Sequence, residues 1–177
     1  MTYTQHYDSP LGGILLAADE EGLTGLWFDG QKNFARTLPK EYAESETPVL
    51  CEAKRWLDIY FSGREPDFTP PLHPEGSAFQ QVVWALLLEI PYGETTTYGT
   101  LARKLAEKQG LTHMSAQAVG GAVGHNDISR IIPCHRVVGA NGSLTGYAGG
   151  VDKKIKLLEL ERADMKSFFV PKKGTAL

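Results

Sequence analysis

The chain is poor in cysteine, has no long apolar run and carries no overall basic excess. Its 177 residues include two cysteines, Cys51 and Cys134, too few for the disulfide framework of a small secreted domain. No stretch of about eighteen apolar residues could span a membrane. The opening Met1-Thr2-Tyr3-Thr4-Gln5-His6 lacks the basic and apolar regions of a secretory signal. A soluble, cytoplasmic protein is expected. A formal net charge of -3 would argue against a nucleic-acid partner if it were spread evenly, and it is not. Residues 1–94 hold 6 Lys and Arg against 15 Asp and Glu, whereas residues 95–154 hold 7 against 3 and residues 155–177 hold 5 against 3. The basic excess sits in the second half, as a DNA-facing surface requires, although an ordinary solvated face would have the same composition.

With 42% apolar content, the chain can form one compact molecule of two lobes. Gly13–Ala17 and Gly22–Phe28, separated by Asp19-Glu20-Glu21, read as strands of a small antiparallel sheet. Val49, Ala53, Trp56, Leu57 and Tyr60 fall on one helical face. Gly63 to Gly76, with four prolines, reads as a linker. These features place an N-terminal lobe with its linker at 1–75, a helical lobe at 76–165 and a C-terminal tail at 166–177. In the second lobe Phe79, Val82, Val83, Leu86, Leu87 and Ile90 recur at helical spacing. Thr97 can cap a helix over Tyr98, Leu101, Ala102, Leu105 and Ala106, and Ser115 or Thr112 can open another over Ala118, Val119, Ala122 and Val123. Two short helices around a glycine-containing turn make a helix-turn-helix pattern, so the fold class is α+β. The second helix is nearly without bulk, through Ala116, Ala118, Gly120, Gly121, Ala122 and Gly124. Interior helical glycine costs about 1 kcal/mol relative to alanine, so backbone must come close to a neighbour, either a DNA groove or another helix of the domain.

The stretch carrying the most chemistry is Pro133-Cys134-His135-Arg136, between Ile131-Ile132 and Val137-Val138-Gly139, read as lying at the end of a buried strand. A free thiol ionises near pH ~8.5, and an adjacent imidazole and guanidinium both favour the thiolate. A small buried hydrophobe is the other use of such a cysteine.

Pro133-Cys134-His135-Arg136-Val137-Val138-Gly139 resembles the active-site signature of the methylated-DNA:protein-cysteine methyltransferases, the O6-alkylguanine-DNA alkyltransferases. The resemblance runs from Asp8-Ser9-Pro10-Leu11-Gly12 through Phe79-Gln80-Gln81-Val82-Val83-Trp84 to the last helix. It implies irreversible transfer of an alkyl group from O6 of guanine, or O4 of thymine, in double-stranded DNA to Cys134, once per molecule, after the base is flipped out. His135 is implied as base through a water, Glu161 as its orienting carboxylate, Tyr98 as proton donor to the leaving guanine and Asn126 as hinge. Thr97, Gln117, Ala118, Gly121 and Arg136 are implied as DNA-facing. Tyr147, Ala148, Gly149, Val137 and Pro133 would form the base pocket, with Ala148 and Gly149 leaving room for larger alkyl groups. Simpler uses exist for several: Glu161 as a surface charge, Tyr98 as core packing, Gly142–Gly150 as a flexible hairpin.

The chain departs from the pattern at Gln117, where most of the family has the arginine that replaces the flipped nucleotide in the stack. Glutamine lacks that charge and planar fork, so weaker binding or slower flipping is expected. The helix-turn-helix carries an extra turn over Glu107–His113. Asp127 stands in place of a common proline, and Arg130 replaces an apolar residue on the active-site strand and could add a phosphate contact. Some relatives hold zinc in the N-terminal lobe; residues 1–94 offer only Cys51, His6 and His73 beside their carboxylates, short of the usual set. No metal or cofactor is expected, and a monomer is implied. Two other readings stay open, a lesion sensor that flips bases without chemistry and a thiol hydrolase using the Cys134/His135 pair, although on a strand His135 would point away from Cys134.

Overall fold

The computed structural model describes residues 1–144, 147 and 149–171. The chain divides into two compact units, Met1–Gly76 together with Asp127–Ile131, and Ser77–Asn126 together with the chain from Ile132 onward. The fold is α+β. No helix among the described residues is long and apolar enough to cross a membrane.

In the first unit β1 (Tyr3–Ser9), β2 (Gly12–Ala18) and β3 (Leu23–Phe28) form an antiparallel meander, and β4 (Ala43–Glu44) pairs parallel with β1, giving the order β3-β2-β1-β4. The apolar runs of β2 and β3 are buried, but β1 buries only Thr4. This is why its polar sequence carries no strand signal. α1 (Pro48–Phe61) starts where Thr47 Oγ1 accepts from the Leu50 N–H at 3.3 Å, with Pro48 in the first turn. Its face of Leu50, Ala53, Trp56, Leu57 and Tyr60 is buried as the sequence periodicity predicts, and the helix packs on β1, β2 and β3.

An unpaired sheet edge invites association, and along β3 two distant segments lie against it. Leu23 donates to Pro71 and accepts from His73, both at 2.8 Å, around a parallel bridge to Leu72. Part of the expected linker is therefore sheet edge. Further along, Leu26 N–H donates to the Asp127 carbonyl at 2.7 Å beside a parallel bridge to Ile128. That pairing draws Asp127–Ile131 into the first unit.

In the second unit Ser77 and Gln80 form a reciprocal capping box at the start of α2 (Ala78–Leu87). Thr97 caps α3 (Tyr98–Lys108) and Ser115 caps α4 (Ala116–Gly124), so the helix-turn-helix forms as read. Trp84 Nε1–H donates to the Ala122 carbonyl at 2.9 Å and ties α2 to α4. A two-residue pairing that the sequence does not announce joins β5 (Thr96–Thr97) in parallel to β6 (Val137–Val138). It sets the first residue of α3 beside the segment that follows Cys134. The last helix, α5 (Val151–Leu160), contributes Leu158 to a cluster with Val138 and Leu144, against which Met165 and Phe168 pack. The expected tail is paired at its start: Phe169 accepts from Leu144 N–H at 2.8 Å and donates to Gly142 at 3.1 Å.

Lys154 lies on the inward face of α5, fully buried, with Nζ donating to the Val137 carbonyl at 2.6 Å. Burial pulls its pKa down from 10.5 to about 8, against a smaller upward pull from Cys134. A lysine whose folded pKa is depressed binds its proton more readily in the unfolded chain, so stability rises with pH between the two values. The shift from 10.5 to about 8 corresponds to roughly 3 kcal/mol at neutral pH, partly offset by a charged hydrogen bond of about 1.5–3 kcal/mol. Urea unfolding of Lys154→Met at pH 7 should show a protein at least as stable as the parent. The parent's gain in stability between pH 8 and 10 should be absent from the variant.

Candidate active site

Arg130 has φ 70° and Pro133 offers no N–H, so Ile131-Ile132 does not continue as the strand the apolar run predicts. In place of a strand end the chain forms a tight 3₁₀ turn over Cys134–Arg136, closed by Arg136 N–H on the Pro133 carbonyl at 3.0 Å. With about three residues per turn, Cys134, His135 and Arg136 fan out around one axis instead of alternating across a strand. His135 is therefore not turned to the face opposite Cys134, as an extended backbone would turn it. Cys134 is 7% exposed, His135 is fully buried and Arg136 is 8% exposed.

Glu161 gathers this turn. It caps the C-terminus of α5, is almost fully buried and accepts from four N–H groups. His135 Nε2 lies 2.6 Å from Oε2 and Arg136 Nη2 3.2 Å from the same oxygen; Arg136 Nε is 2.8 Å from Oε1 and Gly93 N is 3.2 Å from it. Burial alone would push this carboxyl up, but the hydrogen bonds and charges of His135 and Arg136 hold it well below the usual carboxylate range. Gly93 is needed as glycine, since it has φ +80° and a Cβ there would lie 2.9 Å from the Glu161 carbonyl oxygen. Arg136 also donates from Nη1 to the Ile90 carbonyl at 2.7 Å. Its guanidinium is committed inside the unit, which corrects its expected role as a DNA contact. Glu161 is likewise no surface charge.

Tyr98 opens α3 at 4% exposure, so it packs in the core and also stands within the electrostatic reach of Cys134. Burial, with the charge of Cys134 adding to it, pushes its phenol well above the usual range. Asn126 Nδ2 donates to the Ile132 carbonyl at 2.8 Å, two residues before the cysteine. Lys154 was missed at the sequence level, yet its charge too is felt by Cys134. The signal was present, because Lys154 shares the helical face of Val151, Ile155 and Leu158, where a lysine is out of place.

Gln117, Ala118 and Gly121 form an exposed face of α4. A Cβ built on Gly121 or Gly124 meets no atom within 4 Å, so packing inside the domain does not account for these glycines. Thr97 is half-buried and its hydroxyl caps α3 on Thr100. Arg130 belongs to the first unit, fully buried with its guanidinium 3.6 Å over the Phe28 ring. This corrects its expected phosphate contact. Arg130, Arg136 and Lys154 are buried, but so are Asp127 and Glu161, so burial among the described residues changes the basic excess of the second half little. Pro133 and Val137 are buried and Gly149 is half-buried. Tyr147 is 7% exposed and meets the His135 ring edge-on, with centroids 6.5 Å apart. Ala148 lies outside the described residues.

Residues 2–74 match the family model described as the ribonuclease-like domain of 6-O-methylguanine DNA methyltransferase, and residues 78–163 match its DNA-binding domain. The chain is 47% identical over 160 residues to a methylated-DNA–protein-cysteine methyltransferase of Methanosarcina acetivorans, covering 90% of this chain and 97% of that one. A protein of the same name from Haemophilus influenzae is 42% identical over 161 residues, covering 90% and 86%. Among solved structures, Mycobacterium tuberculosis OGT in complex with DNA is similar at a TM-score of 0.78 and 41% identity, covering 91% of this chain and 94% of that one. Together with the buried Cys134-His135-Arg136 turn and its carboxylate, these likenesses show that the chain belongs to the 6-O-methylguanine DNA methyltransferase family.

Proposed function

We propose that the protein repairs alkylated DNA by direct reversal, taking an alkyl group from O6 of guanine onto Cys134. The observation that carries this reading is the pairing of His135 with the buried Glu161 carboxylate, one residue from a cysteine in the same unit as a helix-turn-helix. Guanine O6 bears its alkyl group inside the stacked duplex, so a buried thiol reaches it only if the nucleotide is extruded, at a cost of a few kcal/mol. The bare outer face of α4 suits close approach to a groove, and Gln117 on that face would fill the space the base leaves.

With Nε2 held on Glu161, Nδ1 is the ring nitrogen through which His135 takes the Cys134 proton, directly or by way of a water. The sulfur then attacks the alkyl carbon in line. The S–C bond forms as the O6–C bond breaks, and the electron pair leaves with guanine. Tyr98, whose raised pKa keeps it protonated, supplies a proton to the departing base. The thiol proton held by His135 balances that loss, so the products are neutral guanine and a thioether. Nothing regenerates the thiol, and each molecule acts once. Tyr147 would stack on the flipped base, with Pro133, Val137 and Gly149 around it. O4-alkylthymine, which also carries its alkyl group on an exocyclic oxygen, falls within the same chemistry.

Intact-mass spectrometry after incubation with an oligonucleotide containing one O6-methylguanine tests the reading. A gain of about 14 Da per molecule, absent in Cys134→Ser, is expected for a thiol nucleophile. Tight lesion binding with no gain would make the protein a sensor that binds without chemistry.

Glu161→Gln should slow transfer by about 10²-fold or more, the usual scale for lost acid–base assistance, when followed by single-turnover kinetics. Because the Glu161 carboxyl is depressed, its contribution to stability is complete above the ordinary value near ~4.3. It is lost only as pH falls through a folded value well below that. Acid unfolding of the parent should therefore begin at lower pH than that of Glu161→Gln.

Gly121→Ala separates groove contact from packing. Alanine in the helix should raise unfolding free energy by up to about 1 kcal/mol, while affinity for lesion DNA falls several-fold. Unchanged affinity would remove α4 from the DNA interface.

A further inference from the structure

The segment Asp127–Ile131 has no part in the chemistry above, yet it leads directly into Ile132, Pro133 and Cys134 and is gripped by the first unit along its length. The Asp127 carboxylate, buried at 6% exposure, accepts from Trp27 Nε1 at 3.1 Å and from Arg36 Nη2. Its carbonyl accepts from Leu26 N–H at 2.7 Å, and Ile128, fully buried, bridges Leu26 on the β3 edge. Arg130 is fully buried, 3.6 Å over the Phe28 ring and 5.4 Å from that of Phe61, and its charge acts on Tyr7, which is hydrogen-bonded to Asp58. At the same residue the backbone turns with φ 70°, a conformation uncommon for a residue with a side chain. On the side of the second unit, Asn126 Nδ2 on the Ile132 carbonyl closes the neck of this loop.

We propose that Asp127 and Arg130 are positioning residues: β3 and the loop after it, through Trp27, Phe28 and Arg36, fix the backbone that carries Cys134 and so set the rate at which its sulfur reacts. This gives the N-terminal unit a part in the reaction without any of its side chains touching substrate. The proposal rests on the alkyl-transfer reading for its natural substrate, but the geometry it invokes concerns only the sulfur. Small displacements of a reacting group carry large kinetic penalties, whereas lesion binding, which depends on the exposed face of α4, does not pass through this clasp.

The test compares the parent with Arg36→Gln, Asp127→Asn and the double variant. Arg36 is more than a third exposed and its ion pair is the outermost element of the clasp, so these variants should fold; thermal unfolding checks that they do. Single-turnover transfer at saturating lesion DNA should slow about tenfold in each, with the double variant no slower than either, as coupled residues require. Affinity for lesion DNA should stay within about twofold, the split expected of a positioning role. An unchanged saturated rate, a loss no larger than the loss of folded protein, or effects that add as independent sites would overturn the proposal. If the parent itself transfers nothing, the function is misread. Carbamidomethylation of Cys134 by iodoacetamide, in a Cys51→Ser background, then carries the comparison alone: slower labelling in the variants supports the clasp, and equal labelling refutes it.

Discussion

A carboxylate in a protein interior is tolerated only where donors replace its lost water, and the candidate site is arranged around that constraint at Glu161. Four N–H groups satisfy it, two from the guanidinium of Arg136, one from the ring of His135 and one from the backbone of Gly93. The donors come from two parts of the chain and the acceptor from a third. The 3₁₀ turn brings His135 and Arg136 round together, Gly93 supplies an amide from the turn after α2, and the end of α5 delivers the carboxylate. Take away any one and a buried charge is left short of partners, a loss of several kcal/mol. The orientation of the imidazole next to Cys134 follows from satisfying that carboxylate and needs no separate device.

The same constraint explains which basic residues face outward. Arg130, Arg136 and Lys154 all belong to the basic half of the sequence, but each is buried against a partner of its own. Arg130 stacks on a ring, Arg136 holds a carboxylate and Lys154 binds a carbonyl. A charge count alone does not tell which of these side chains reach the surface. What that half presents through α4 is shape, a helix face of Gln117, Ala118 and Gly121 where added side-chain atoms would meet only solvent.

How much could be read from the sequence follows from how local each determinant is. The helices are legible because their apolar spacing and caps lie within a few residues of one another, as at Thr97 and Ser115. β1 is not, since six of its seven side chains stay at least partly exposed and leave no alternation to detect. The pairing of β5 with β6, and of Asp127–Ile128 with β3, joins residues from about 40 to 100 positions apart, and two-residue ladders have no period. The motif around Cys134 is plain in the sequence, but its backbone is a 3₁₀ turn where the apolar run predicts a strand end. Ile131-Ile132 reads as strand on propensity, whereas at Arg130 the backbone turns left-handed and the guanidinium packs over Phe28, a hundred residues earlier. Lys154 shows the opposite lesson, a local signal visible on the helix and passed over because lysine is ordinarily a surface residue.

The proposed chemistry turns on a His135 ring held by Glu161 through Nε2, with Nδ1 serving Cys134. Nitrogen-resolved magnetic resonance of that ring, before and after Cys134 is methylated, measures this directly. The predicted result is a proton on Nε2 in both states, lost from its low-field position in Glu161→Gln, with the Nδ1 resonance shifting when the thiol becomes a thioether. A ring with its proton on Nδ1 and a bare Nε2, or an Nδ1 signal indifferent to the state of Cys134, would contradict it.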